Sequence, residues 1–496
     1  MPRNSKSKRK HREIHFILGG LVLMKNSVTK KHQRMVAFIL VCIISLSMCT
    51  SCGIKGTVAE KDGKTVISVG SWPQKSGPSL EKIERQKAEF EADNPDVIIQ
   101  PDSWTFDLKT FYPKAEAGLL PTLYYTFFTE LAQVINAEYA ADITAVLNKR
   151  GYKDKFNPKI MDLISRDNKV FAFPYSAYVL GLAYNTELFR QAGLMEADGT
   201  PKQPKTWNEL AEFAQKIKQA TGKAGFVFPT ANNVGGWIFT CLAWSFGVKF
   251  IDKNAEGKWI ATFNSLECVE ALQFIKDLRW KYDVLPANTL IDGNEYYKLY
   301  ATGNAGMLIA AGDVGKKCAP YEMPVDHIGI MALPAGPARH VTLMGGGVYL
   351  IANNATEKQK DAAVRWIEKR GYGYELTEDA KQTIENNIKE ELEKGYIIGI
   401  KSMSVWAEDT EIEKYKNAMI EKYANSNMNH VRLYNEFVQN RNVEVQPEEP
   451  VCAQDLYGVL DNCIQEVLLN ENADCARLIE NACNDFQVNY LDNLDY

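Results

Sequence analysis

Histidine is scarce: the chain of 496 residues holds six, and beyond residue 53 only His327, His340 and His430 remain. None is spaced from another His or from a Cys as zinc ligands are, so no metal site is expected. Long apolar runs are missing as well. The run "MVAFILVCIISLSM", residues 35–48, falls below the ~20 residues that a membrane-crossing helix needs. There is no basic surplus: 57 Lys and Arg stand against 62 Asp and Glu, a formal net charge of -5, and most of the clustered positive charge lies ahead of residue 53. A nucleic-acid binder would carry a basic stripe, and none is found. Nucleotide loops are lacking too. "AAGDVGK" has Ala310 where a phosphate loop needs its first glycine, and the triple glycine at 345–347 is short of a dinucleotide fingerprint. No cofactor is expected, and those glycines are read as letting backbone approach a hinge or a ligand closely. Internal repeats and low-complexity linkers are absent.

The short apolar run has the length of the apolar segment of a secretory signal, and Lys25, Lys30, Lys31 and Arg34 supply the positive flank before it. Thr50 and Ser51 then lead into Cys52 and Gly53. This stretch resembles the lipobox of bacterial lipoproteins, which implies that Cys52 receives a diacylglyceryl group and tethers the chain to the extracytoplasmic face of the cell membrane. Residues 1–23 are basic, but Met24 opens a complete signal by itself, so they are read as an over-extended start and 1–52 as the signal region.

About 440 residues follow, enough at ~150 residues per domain for two or three folding units. Of the ten cysteines, Cys42, Cys49 and Cys52 belong to the signal region and seven remain, an odd number. Cys463 recurs at helical spacing with Leu456, Leu460, Ile464 and Val467, as do Cys475 and Cys483 with Leu478, Ile479 and Phe486. On one helix Cys475 and Cys483 would stand about 12 Å apart, too far for a bridge. These thiols are read as small core residues.

"KTVISVGSW", "DVIIQ" and "TLYYTFF" read as strands, with helices predicted over residues 78–95 and 106–120 between them. Residues 64–128 thus spell β-α-β-α-β, a parallel sheet with covering helices. Open sheets bind ligands beyond the carboxyl ends of their strands. That rule selects Ser71, Trp72, Trp104 and the "YTFF" segment with Thr126. A second α/β unit is read from "GFVFPT", the helix "GGWIFTCLAWSFG", a long helix over residues 266–282 and "AGMLIAAGD". Thr206 with Glu209 and Thr356 with Gln359 are predicted capping boxes. After the second of these the chain is expected to be helical to its end. Trp237 and Trp244 lie seven apart on one helix face, a stripe read first as core, with room for one of them to reach a cleft.

"FAFPYSAYVLGLAYNTELFRQAGL", "PKTWNELAEFAQKIK", "YATGNAGMLIAAGD", "GGGVYLIANNATEKQKDAAVRWIE" and "LYGVLDNCIQEVLLNENAD" follow in an order that resembles the family 1 extracellular solute-binding proteins of ABC importers. The resemblance covers essentially the whole chain after residue 64. It implies two α/β lobes of the periplasmic-binding-protein type joined by crossover strands, near Pro174 to Leu180, near Leu343 to Gly347 and within 425–445. Lobe I is then 53–177 with 346–430, and lobe II is 178–345 with 431–496. It further implies a monomeric receptor that is not an enzyme, holds a small-molecule solute in the cleft and hands it to ABC permease subunits. The expected solute is a carbohydrate, since sugars stack C–H faces on aromatic rings and offer hydroxyls to polar groups. Family placement puts Trp72, Tyr175, Trp237, Asp313, Gly345, Gly346 and Tyr457 nearest that cleft. Burial against the C-terminal helix is the competing reading for Tyr457. The chain departs from the family pattern at Thr122, where many relatives carry Asp, and at Asp313, where sugar binders often carry an aromatic. Two alternatives share these features: a secreted glycosidase with paired carboxylates and a ligand sensor of a two-component system.

Overall fold

The computed structural model describes residues 59–439 and 444–494; the signal region and Cys52 lie outside the described residues. Strands β1 (Lys64–Val69), β2 (Val97–Pro101) and β3 (Leu123–Phe127) pair in parallel, Thr65 opposite Val97 and Val69 opposite Leu123. Helix α1 (Pro78–Asp93) connects the first two, and it presents Ile83 and Phe90 to the core. The predicted β-α-β-α-β order is therefore observed. Helix α2 (Phe128–Asn136) starts directly from β3, at the carboxyl end of the sheet.

The next strand sets the architecture. β4 (Ala172–Asn185) is fourteen residues long and changes partner along its length. Residues 180–185 pair with β5 (Met307–Ala311) and β6 (Ile328–Met331), whereas residues 172–179 pair with β7 (Val341–Ile351). β7 in turn carries β3 along 347–351 and β8 (Glu444–Pro447) along 341–344. One ladder of strands thereby runs through both lobes. Such strands are nearly continuous in apolar residues because both faces are covered, as the buried residues of β4 and β7 illustrate.

Separate cores lie on either side. Trp72, Phe90, Phe111, Tyr124 and Trp366 pack in the first, and Trp207, Phe239, Trp244, Leu272, Leu456 and Phe486 in the second. The second core is built around helix α3 (Val234–Phe246), apolar all round and buried from Gly235 to Ser245 except at Trp237, as a helix enclosed on nearly every side must be. Helix α4 (Ala453–Leu469) crosses it so closely that a Cβ on Gly236 would overlap the backbone of Tyr457. Among the described residues the seven cysteines are free thiols, six of them buried. No described helix is long and apolar enough to cross a membrane.

Local expectations divide. Thr356 and Gln359 form the full reciprocal capping box. Thr206 caps its helix through the Glu209 N–H, but the Glu209 carboxylate accepts from the N–H of Lys205, so the box predicted there is only half made. "GFVFPT" runs extended without joining the ladder, apart from Val227 N–H donating to the Met307 carbonyl at 3.0 Å. The C-terminal part is not wholly helical, since β8 intervenes to satisfy the open edge of β7.

Candidate functional site in the interlobe cleft

Tyr175 and Tyr178 are three apart on β4, a spacing that regular pleating sends to opposite faces. A bulge reverses this. Gly347 opposes Ser176 and Val348 opposes Pro174, which leaves Tyr175 as the extra residue. Glycines on β7 then make room for the rings: a Cβ on Gly345 would overlap the Tyr178 ring, and one on Gly347 would overlap the Tyr175 ring. Gly346 points the other way, against the Phe128 ring and the Ser176 carbonyl. The triple glycine seats two tyrosines flat on the crossover strands.

Beside Tyr178 and Gly346 lies a pocket of about 270 Å³. Phe127 and Thr129 approach it from the end of β3 and the start of α2, while Asn232, Asn233, Val234 and Trp237 come from the head of α3. Glu448 closes it from the segment joining β8 to α4, and Gln454 and Tyr457 from the start of α4 itself. The head of α3 is held by Asp461 of α4, whose carboxylate accepts from the N–H groups of Asn233 and Gly236, each at 2.7 Å. This carboxylate also complements the positive end of the α3 dipole. Asn233 donates to the Gln454 carbonyl at 2.9 Å, so both helix starts are tied together before any ligand arrives.

Glu448 is the one charged residue lining this pocket. Tyr457 donates its hydroxyl to one carboxylate oxygen at 3.0 Å and Thr129 donates to the other. Burial pushes the Glu448 pKa up, opposed by the donors on Thr129, Tyr457 and Trp237. Behind it, buried Glu130 is raised to about 7 by desolvation and then by the charges of Glu448 and Asp455, and its Oε2 has no hydrogen-bond partner. Glu449 faces away into the second core, where desolvation raises it to about 7 and the Trp244 indole donates to it at 3.1 Å.

A larger cavity of about 1370 Å³ adjoins the first lobe, lined in part by Ser71, Tyr125, Tyr175, Tyr349 and Tyr372. Their linings come nearest on β3, which gives Tyr125 to the larger cavity and Phe127 to the smaller, with the two rings 6.3 Å apart.

The expected site residues therefore scatter. Trp237, Gly346 and Tyr457 meet in the interlobe pocket, with Gly345 beneath Tyr178, and Ser71 and Tyr175 line the larger cavity. Trp72 does not reach either one: only 4% exposed, it stacks on Trp366 at 6.1 Å and donates its indole N–H to Glu84 at 2.9 Å. Trp104 packs on Phe111 and Tyr124. Thr126 is buried on the opposite face of β3, since alternation turns its neighbours Tyr125 and Phe127 toward the cavities instead. Asp313 is exposed, 4.0 Å from Lys317, and lines neither cavity, although its charge adds to the upward shift of Tyr178. Missing from the expected set are Tyr178, Phe127, Asn233 and Glu448. A signal for the last was available in "QPEEP", paired carboxylates fenced by prolines.

Two α/β lobes on shared crossover strands, with an aromatic pocket between them, define the class of periplasmic-type binding proteins. The chain belongs to the bacterial extracellular solute-binding protein family, whose model matches residues 75–369. A binding protein of Brucella abortus is 24% identical over 336 residues, spanning 64% of this chain and 78% of that one. The sn-glycerol-3-phosphate-binding periplasmic protein UgpB of Escherichia coli is 24% identical over 242 residues, 46% of this chain and 53% of its own length. Among solved structures, maltose-bound MalE3 of T. maritima superposes with a TM-score of 0.59 at 22% identity, covering 85% of this chain and 99% of that one. The cyclic alpha-maltosyl-1,6-maltose binding protein of Arthrobacter globiformis gives 0.61 at 20% identity, covering 86% and 100%.

Proposed function

We propose that the protein is the solute receptor of an ABC importer and that its solute is a sugar or oligosaccharide, held between the lobes. The observation that carries the sugar reading is the composition of the interlobe pocket: Trp237, Tyr457, Tyr178 and Phe127 with Glu448, Asn233 and Gln454, and no Lys, Arg or His among its lining residues. Aromatic faces take the C–H faces of a pyranose while a carboxylate and amides take its hydroxyls. A phosphate ester would need cationic donors, so the pocket favours a carbohydrate over the glycerol phosphate named for one relative. A lone lining carboxylate also supports capture rather than hydrolysis, because glycosidases need a facing pair. Capture by both lobes couples binding to closure, since a ligand shifts that equilibrium only through contacts the open state lacks.

Thermal-shift and calorimetric screens of the chain from residue 53 onward, against sugars and against sn-glycerol 3-phosphate, test this reading. Stabilisation by sugars is expected. Binding of the phosphate ester alone would overturn it. Membrane tethering through Cys52 belongs to the same proposal, because two acyl chains give stable anchoring at ~0.8 kcal/mol per buried methylene where one does not. Cys52→Ala should leave the protein unprocessed or release it to the medium; a mutant that stays membrane-bound with an unchanged mature N-terminus would exclude that residue.

A further inference from the structure

We propose that the solute carries a protonated amine, so that the interlobe pocket selects a cationic amino sugar over its neutral counterparts. This rests on the sugar reading above and adds charge to it. The motive is a group of carboxylates without counterions. Glu448 lines the pocket, and Glu130 lies behind it, close enough to feel the charges of both Glu448 and Asp455. Asp461 adds a fourth carboxylate at the head of α3. Desolvation holds all four above the ordinary carboxylate range, and no Lys, Arg or His among the described residues offsets it. Glu130 is only 4% exposed, and its Oε2 accepts no hydrogen bond. Buried carboxylates are ordinarily paired with a cation. Here the chain supplies none at the pocket, and a cationic ligand would.

The rest of the pocket surface suits a cation as well. Trp237, Tyr178, Tyr457 and Phe127 line it, and the faces of such rings are negative, which draws an ammonium group to them. The positive end of α3, which would repel a cation, is not open to the pocket. Its Asn233 and Gly236 N–H groups already donate to Asp461, each at 2.7 Å. Glu448 is oriented in advance. Tyr457 and Thr129 each donate to a different oxygen of its carboxylate, and each oxygen keeps a further acceptor site. A sugar hydroxyl can fill that site but brings no charge, whereas an ammonium group brings N–H donors and the missing positive charge together. A quaternary ammonium would bring the charge without the donors, so the geometry favours a primary amine.

Calorimetric titration at neutral pH, where the amine is protonated, tests this with ligands matched in skeleton and different in charge. Glucosamine is compared with N-acetylglucosamine and glucose, galactosamine with N-acetylgalactosamine and galactose, and the β-1,4 disaccharide of glucosamine with those of N-acetylglucosamine and glucose. In the series that binds, the amine is expected to bind about 10-fold or more tighter than either neutral partner. Glu448→Gln should erase that preference by weakening the amine far more than the neutral sugars, whereas a carboxylate that only accepts from hydroxyls would cost both alike. Glu130→Gln removes a charge that lies behind the pocket wall, so it should shrink the preference by a smaller factor. Equal or tighter binding of the neutral sugars by the wild-type protein would overturn the amine and leave the sugar reading standing. So would a preference that survives both substitutions in correctly folded protein, as judged by melting curves. Binding of no sugar, charged or neutral, would overturn both.

Discussion

The hydroxyl of Tyr457 lies 3.0 Å from a carboxylate oxygen of Glu448 and donates to it, although the two residues sit on opposite sides of the turn that starts α4. The bond aims the carboxylate across the interlobe pocket while the Tyr457 ring forms part of its wall. Glu448→Gln removes the charge and half the acceptor capacity, and a lost charged hydrogen bond costs about 1.5–3 kcal/mol. Affinity for the best sugar should fall about 10- to 100-fold. Tyr457→Phe keeps the ring and frees the carboxylate, so it should give a smaller loss. Titration of both variants with one sugar checks the order, and equal affinity for Glu448→Gln and wild type would exclude a ligand contact at this carboxylate.

Trp72 and Trp237 should separate stability from binding. Trp72 is enclosed by Trp366 and tied to Glu84, so Trp72→Ala opens a cavity in the first core and should cost about 3–5 kcal/mol. Trp237 is half-buried at the pocket, and Trp237→Ala should lower affinity about 10-fold or more with a smaller change in stability. Denaturation and titration of both proteins decide the matter; the reverse pattern would place the ligand elsewhere.

The different fate of those two residues marks what could be read without coordinates. Strand order, the β-α-β-α-β start and the burial of the cysteine-bearing helices follow from local periodicity, which one chain displays directly. The site does not. Trp72 follows the end of β1 as expected, yet the φ of 57 at Ser71 turns the chain so that the indole swings back under α1. Thr126 was one residue out of phase with the faces that count, and Tyr178 was hidden by a bulge that no spacing rule shows. Family resemblance puts Asp313 at the cleft, but the helix beginning at Val314 leaves it in solvent beside Lys317. Side-chain direction depends on pairing partners far away in sequence, and that information enters only with the fold.

Stability should fall as pH rises through neutrality. Glu130 is packed with Glu448 and Asp455 and lies near Cys452 and Tyr112, all of which are neutral or negative. Its folded pKa of about 7 is above the ordinary 4.5, so between those values the folded state binds more protons than the unfolded chain. That contribution is complete below the unfolded pKa and is lost as pH climbs through the folded one. Glu449 acts with the same sign. From about pH 5.5 to about pH 8 the Glu130 contribution amounts to about 2 kcal/mol. Glu130→Gln should flatten this part of the profile and raise the melting temperature at the alkaline end. A wild-type profile that is level or rising over the interval would show that Glu130 titrates normally.

Adding one methyl group at either outer glycine of β7 should separate the two cavities. At Gly345 the new Cβ collides with the Tyr178 ring, and at Gly347 with the Tyr175 ring; β4 and β7 are paired with each other through this stretch, so the rings must yield rather than the backbone. Overpacking of this kind costs about 1–3 kcal/mol. The functional consequences differ because the rings floor different spaces. Gly345→Ala should weaken sugar binding about 10-fold or more, since Tyr178 lines the interlobe pocket. Gly347→Ala should leave sugar affinity nearly unchanged, since Tyr175 lines the larger cavity instead. Titration of the two variants with one sugar reads this out directly, and equal losses would mean that the two rings line one undivided site.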